Sequence, residues 1–253
     1  MCSSVIIHVK SFATSCFSIM KFVFISDTHG DHNNMYYPIP EGDVLIHAGD
    51  LTNVGTQNDI QRFVEWYQNL TGFDTKIFIA GNHDWGFYHK RNWFQHLIND
   101  ENLSQSDCVY LEDSELIIET PELSKPIKFY GSPWQPRFLD WAYNATEEQL
   151  FKIWEKIPND TDILITHSPA HSILDKVVGR HDQLGSVTLY NRIMEIKPKI
   201  HVCGHIHSGR GVVEKDGIVF INASVATESY DMIYKPIVID YDFNTNKWEL
   251  IDM

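Results

Sequence analysis

A chain of 253 residues, 43% hydrophobic and 21% charged, has the length and mix of one large globular domain. That mix excludes disordered, collagenous and coiled-coil classes, and no uncharged apolar run approaches the roughly 18–20 residues that span a bilayer. Lys and Arg number 20 against 34 Asp and Glu, a formal charge of −14; so acidic a chain repels nucleic-acid polymers and anionic membranes, and phosphate chemistry on it needs metal ions or a small substrate.

In chain order, residues 1–19 are expected to form an N-terminal extension of unknown role, ahead of a single domain over 20–253. They lack the basic start and continuous apolar run of a secretory signal. The scattered Cys2, Cys16, Cys108 and Cys203, without a CxxC pair, suit a reducing compartment and a cytoplasmic location. Residues 21–25 and 43–47 read as buried strands. Ile60, Phe63, Val64, Tyr67 and Leu70 then recur at helical spacing, and 75–79 reads as a third strand. Strands at 127–130 and 162–166 bracket a helix signalled by the capping box Thr146/Gln149 and the stripe Leu150, Ile153, Trp154 and Ile157. After a strand at 199–203 the pattern changes. Residues 211–251 read as a string of strands with a type I′ hairpin at Asp216-Gly217. Alternation giving way to a β meander predicts a mixed α/β protein with two sheets.

The strand ends carry the chemistry. Five apolar strands stop and deliver Asp, Asn or His: Asp27-Thr28-His29, Gly49-Asp50, Gly81-Asn82-His83-Asp84, His167, and Gly204-His205-Ile206-His207. In open α/β sheets that edge binds ligands. Asp27/His29 and His205/His207 are each two apart, a spacing that puts both side chains on one face of extended chain. The set Asp27, His29, Asp50, Asn82, His167, His205 and His207 offers carboxylate, amide and imidazole donors without thiolate. Seven donors are too many for one ion and suit two ions sharing a carboxylate.

These five segments, in this order, resemble the signature of the calcineurin-like metallophosphoesterases from about Lys21 to Ile251. Gly131-Ser132-Pro133-Trp134-Gln135-Pro136 and Ile221-Asn222-Ala223-Ser224 are similar to the branch containing the vertebrate brain metallophosphoesterase-domain proteins and their microbial relatives. The resemblance implies a two-sheet β-sandwich flanked by helices. It implies Asp27, His29 and His207 on one metal, Asn82, His167 and His205 on a second, and Asp50 bridging. His83 would protonate the leaving oxygen or stabilise the transition state, with Asp84 orienting it. Two divalent ions are implied, Mn²⁺ first, with Fe, Zn or Ni as alternatives. The implied reaction is hydrolysis of a small phosphate diester, such as a cyclic nucleotide, by a metal-bridging hydroxide. The alternatives are a phosphomonoesterase, or a non-catalytic nucleotide-binding or scaffold protein with the same fold. After Asp50 the chain reads Leu51-Thr52-Asn53-Val54-Gly55, without the Val-Asp-Arg-Gly of the protein-phosphatase subgroup.

Two residues outside the signature are candidates for substrate binding. Trp134, in a Pro-bounded loop, has the surface to stack on a base, and Arg210 follows the last signature histidine by three residues. Arg137 has less to recommend it. His47 and His201, each late on a strand just before a candidate ligand, are candidates to support the ligands.

Overall fold

The computed structural model describes residues 4–8, 19–90, 93, 107–120, 123, 125–179 and 182–252. The strands are β1 (Ser4–His8), β2 (Ile19–Ile25), β3 (Val44–His47), β4 (Thr75–Phe78), β5 (Cys108–Tyr110), β6 (Ser114–Glu119), β7 (Ile127–Ser132), β8 (Gln135–Pro136), β9 (Asn144–Ala145), β10 (Ile163–Thr166), β11 (Ile200–Cys203), β12 (Gly211–Lys215), β13 (Ile218–Asn222), β14 (Ile237–Asp242) and β15 (Lys247–Leu250). The main helices are α1 (Gln57–Asn69), α2 (Trp85–Tyr88), α3 (Glu147–Trp154) and α4 (Val187–Ile196).

Among the described residues these strands form a seven-stranded sheet, β1-β6-β7-β10-β11-β13-β12, a six-stranded sheet, β15-β14-β2-β3-β4-β5, and the short pair β8-β9. The alternation of side chains along each strand builds the layers. Phe22, Phe24, Ile46 and Ile77 of the six-stranded sheet pack against Phe129, Ile163, Val202 and Ile221 of the other, filling the sandwich. The alternate residues Val23, Leu45 and Phe78 face outward under Phe63, Val64 and Tyr67 of α1. On the far side Leu164 and Phe220 lie under Trp154 of α3 and Leu189 of α4. Strands buried on both faces explain the nearly unbroken apolar runs in the sequence. Each half-apolar sheet has found its two covers, and the mixed α/β two-sheet fold is the result.

Local signals place the helices. Thr56 and Asp59 form a reciprocal capping box that starts α1, and Thr146 and Gln149 form the one that starts α3. Helix α4 was not expected from the sequence. Ser186 caps it by accepting the Leu189 N–H at 3.1 Å, and only Leu189 and Ile193 are buried along it, a stripe too narrow to stand out. Asp216 (φ 54°) and Gly217 (φ 79°) take the left-handed pair of a type I′ turn.

The expected meander over 211–251 is corrected: its two hairpins join different sheets. β12 and β13 extend the seven-stranded sheet, β13 lying parallel to β11, whereas β14 and β15 extend the other, β14 running antiparallel to β2. Strand propensity is local and sheet membership is not. Of the expected extension 1–19, residues 1–3 and 9–18 lie outside the described residues; Ser4–His8 pair in parallel with β6, and Ile19 opens β2. No helix among the described residues is long and apolar enough to cross a membrane.

Candidate metal centre

The carboxyl ends of β2, β3 and β4 in one sheet and of β10 and β11 in the other meet at one edge of the sandwich. Backbone bonds carry the ladder on into the loops: Asp27 N–H to Gly49 O (2.9 Å), His29 N–H to Asp50 O (3.0 Å), and Gly204 N–H to His167 O (3.0 Å). The turns are tight. Asp27 (φ 58°), His29 (φ 45°), Asp50 (φ 52°) and His205 (φ 67°) are all left-handed, a conformation that costs a non-glycine residue about 1–2 kcal/mol and gathers at functional sites. Gly204 allows the closest approach: a Cβ there would stand 2.0 Å from Ser26 Oγ and 2.4 Å from an Asp27 oxygen.

The seven signature residues converge. His29 Nε2 lies 3.3 Å from His207 Nε2, and His207 Nε2 lies 3.6 Å from Asp27 Oδ1. His167 Nε2 lies 3.0 Å from Asn82 Oδ1 and 3.3 Å from Asp50 Oδ2. The same Asp50 oxygen lies 3.8 Å from His29 Nε2, so one carboxylate oxygen faces both sets. Donor atoms of Asp50, His167 and His205 also fall within 4.8 Å of one another. Donors about 2.0–2.2 Å from a shared ion stand about 3–3.5 Å apart. The separations of 3.0–3.3 Å match that spacing and those of 3.6 and 3.8 Å lie just beyond it, so the residues fit two divalent ions.

Tautomers favour the same reading. The Nδ1 of His167 faces the Ala48 carbonyl at 2.9 Å and that of His207 faces the Thr227 carbonyl at 2.8 Å. A carbonyl only accepts, so each Nδ1 carries a proton, and it is Nε2 that loses its proton and turns a lone pair to the site when a metal binds. Burial opposes charge on Asp27, yet the hydrogen bond and charge of His207 hold its carboxyl well below the usual range. His167 does the same for Asp50. Against their own burial, His167 and His207 are raised in turn to about 9 by Asp50 and Asp27. Burial lowers His29 to about 4 and His205 to about 3.

His83 lies at the edge of this cluster. Its N–H donates to Asp50 Oδ1 at 2.9 Å and its Nδ1 to the Asn53 carbonyl at 2.7 Å, leaving Nε2 for the pocket. Asp84 does not orient it as expected. The Asp84 carboxylate accepts from Leu51 N (3.1 Å), Thr52 N (3.0 Å), Thr52 Oγ1 (2.7 Å) and Gly81 N (2.8 Å). It fastens the Asp50 loop to the Gly81 turn, while burial, helped by the Asp50 charge, raises it to about 6.

A pocket of about 310 Å³ opens over the cluster, walled by Arg137, Phe138, Val177, Leu184 and Tyr230. The structure does not bring Trp134 or Arg210 to it. The Trp134 indole N–H bonds Asp113 at 3.0 Å and its ring meets Tyr143 edge-on, so it anchors a loop. Arg210 turns away, over the Tyr234 ring and onto the Lys235 carbonyl at 2.6 Å, beside a separate 770 Å³ cavity. Among the described residues, Arg137 is the arginine that lines the pocket. Sequence reasoning also missed three aromatic side chains around the site: Trp141 stacked on His83, Tyr230 against His29, and Phe138 against His205. They lie in loops without periodicity, where no local signal marks them. His47 and His201 support the ligands at one remove, bonding the hydroxyls of Thr28 (2.9 Å) and Thr166 (2.8 Å).

Residues 20–209 match the family model described as calcineurin-like phosphoesterase. The chain belongs to that family. It is 38% identical to the human metallophosphoesterase domain-containing protein 1 over 240 residues, 87% of this chain and 70% of that one. A UPF0046 protein of Caenorhabditis elegans is 34% identical over 228 residues, 87% and 74% of the two chains. The solved structure of a phosphopantetheinyl hydrolase from Mycobacterium tuberculosis superposes with a TM-score of 0.54 over 81% of this chain and 89% of that one. At 16% identity that is a likeness of fold alone. Family and donor clusters together make this calcineurin-like phosphoesterase a metal-dependent phosphoester hydrolase.

Proposed function

We propose that the protein is a binuclear phosphodiesterase acting on a small phosphate diester, with a cyclic nucleotide as the first class to try and Mn²⁺ as the first metal. Asp27, His29 and His207 would hold one ion and Asn82, His167 and His205 the other, with Asp50 shared between them. Divalent ions there would supply positive charge for the phosphoryl oxygens and acidify water at neutral pH. The fixed Nδ1–H tautomers of His167 and His207 keep their Nε2 lone pairs aimed inward. His83, anchored through Nδ1–H, in its doubly protonated form gives the Nε2 proton to the departing oxygen and is left as the neutral Nδ1–H ring, while Phe138, Val177 and Leu184 line the approach.

The observation that carries the diester over the monoester is the pocket's charge. Among the described residues lining it, Arg137 is the one Lys or Arg, and Glu228 lies in the same wall. A diester phosphate carries a single charge at neutral pH, whereas a monoester carries about −1.5 to −2, and beyond the two proposed ions this wall offers that extra charge one arginine beside a glutamate.

Side-by-side hydrolysis of bis(p-nitrophenyl) phosphate and p-nitrophenyl phosphate by the Mn²⁺-reconstituted protein tests the reading, with Asp50→Asn as the blank. Diester turnover well above monoester, absent from the variant, is the expected result. A monoester preference overturns it.

A further inference from the structure

The last side-chain torsion of a histidine joins an sp³ carbon to a flat ring and is broad and roughly two-fold. One hydrogen bond at Nδ1 therefore does little to stop the ring from rocking, and a half-turn would place carbon where nitrogen is needed. Among the described residues His83 has a single side-chain bond, to the Asn53 carbonyl at 2.7 Å. It also has a wall. The Trp141 indole lies against the imidazole with centroids 4.1 Å apart and planes inclined by 26°, and His29 meets the same ring at 83°.

The loop that carries Trp141 is held firmly enough to serve as a wall. Ala142 N–H bonds the carbonyl of Asn82, the residue before His83, at 3.2 Å. The Asn144 amide donates to the Phe138 and Leu139 carbonyls at 3.0 and 3.2 Å, and its oxygen accepts the Phe138 N–H at 3.2 Å. Buried Tyr143 donates its phenol to Glu112 at 3.1 Å. Leu139 (φ 49°) and Tyr143 (φ 53°) are left-handed, a strain that persists only where the surroundings over-determine the backbone. Among the described residues the indole of Trp141 stacks on His83 and has no ring contact with the signature imidazoles His29, His167, His205 or His207.

We infer that Trp141 is a positioning residue: its stacked indole keeps the His83 ring turned with Nδ1–H on Asn53 and Nε2 toward the pocket. The effect on rate rests on the role proposed for His83; the effect on ring orientation does not.

Two measurements separate the two. Imidazole ¹⁵N spectra of the metal-free protein in alkaline buffer, with His83→Ala to assign the signals, read the orientation directly. A single Nδ1–H tautomer is expected for wild type and Trp141→Phe, and a mixture or exchange broadening for Trp141→Ala. Kinetics on bis(p-nitrophenyl) phosphate with Mn²⁺ then read the consequence. Trp141→Ala is expected to lower kcat about tenfold, within the roughly 10²-fold that a misplaced group can cost, with KM and metal content unchanged. Trp141→Phe is expected to recover most of the loss, and in a His83→Ala background Trp141→Ala is expected to change nothing further. An unaltered His83 spectrum in Trp141→Ala overturns the inference whatever the rates. An equal loss of kcat in the His83→Ala background overturns the rate effect of positioning and sets Trp141 against the substrate. If the spectrum changes as expected while His83→Ala retains full rate, the positioning stands and the acid role of His83 falls.

Discussion

The two sheets deliver their halves of the site by the same device but with opposite charge. From the six-stranded sheet come both carboxylates, Asp27 and Asp50, with Asn82 and His29. From the seven-stranded sheet come imidazoles alone, His167, His205 and His207. Neither half is stable by itself: buried carboxylates without partners, or three crowded imidazoles, would each carry a desolvation penalty that only the other half offsets. The pairs Asp27–His207 and Asp50–His167 join the sheets across the edge of the sandwich. The site is therefore complete only when the sandwich is closed.

Breaking the comparison at its shared point should have the largest effect. Asp50→Asn removes the charge that both sets face, and metal and turnover are expected to disappear together, read by metal analysis beside hydrolysis. Two bound metals and full rate in that variant would remove Asp50 from the centre. His83→Ala, which leaves both donor sets whole, is expected to keep its metal and lose about 10²–10⁴-fold in kcat, the range for a general acid. Equal loss of metal would make His83 a ligand instead.

The opposite charges of the two halves also predict a pH profile for the metal-free protein. His167 and His207 are raised from an ordinary 6.5 to about 9 by Asp50 and Asp27, against their burial. Their stabilisation is complete below 6.5 and is lost as pH rises through 9. Four buried histidines and the half-buried His205 pull the other way. Burial lowers His29 and His32 to about 4, and His47, His201 and His205 to about 3. The unfolded chain protonates all five near 6.5, so stability drops steeply as pH falls below that value. Thermal melts in chelator should peak near pH 6.5. Added Mn²⁺ should remove the alkaline decline, because ligating imidazoles are neutral, and leave the acid one. A melting temperature that stays flat between pH 4 and 6.5 would contradict the burial of these histidines as neutral bases.

The sequence showed the donors and concealed their surroundings, for physical reasons. Asp27, Asp50, Asn82, His167 and His205 each end or follow a strand buried on both faces, and an apolar run that stops at a polar residue is visible locally. Trp141, Phe138 and Tyr230 lie in loops whose course is set by contacts far apart in the chain, such as Ala142 N–H on Asn82 O. The partner of His83 is a backbone carbonyl, Asn53 O, and any residue supplies one, so no residue type marks it, and the family resemblance implied Asp84 instead. The split of 211–251 between sheets was hidden for the same reason: pairing of β13 with β11, or of β14 with β2, joins segments that carry no mark of each other.

The smallest expected effects would sharpen the comparison most. His47 and His201 stand at matching places, on the outward faces of β3 and β11, and each holds a threonine hydroxyl beside a ligand. Thr166 Oγ1 also lies 2.7 Å from the Ser168 carbonyl, so the hydroxyl donates there and His201 donates to it. Thr28→Val and Thr166→Val keep shape and remove the hydroxyl, each stranding a buried imidazole at about 1–3 kcal/mol of stability. Their effects on metal should differ. The imidazole of His167 is fixed independently, through Nδ1–H on Ala48 O at 2.9 Å, whereas the buried Nδ1 of His29 has no hydrogen-bond partner among the described residues. With no such anchor of its own, His29 depends more on the backbone turn that Thr28 steadies. Mn²⁺ titration of the metal-free variants should therefore show about tenfold weaker binding for Thr28→Val, the lower end of what a supporting hydrogen bond is worth, and a smaller loss for Thr166→Val. Equal losses would mean that the turn, rather than the ring's own hydrogen bond, sets ligand orientation in both sheets.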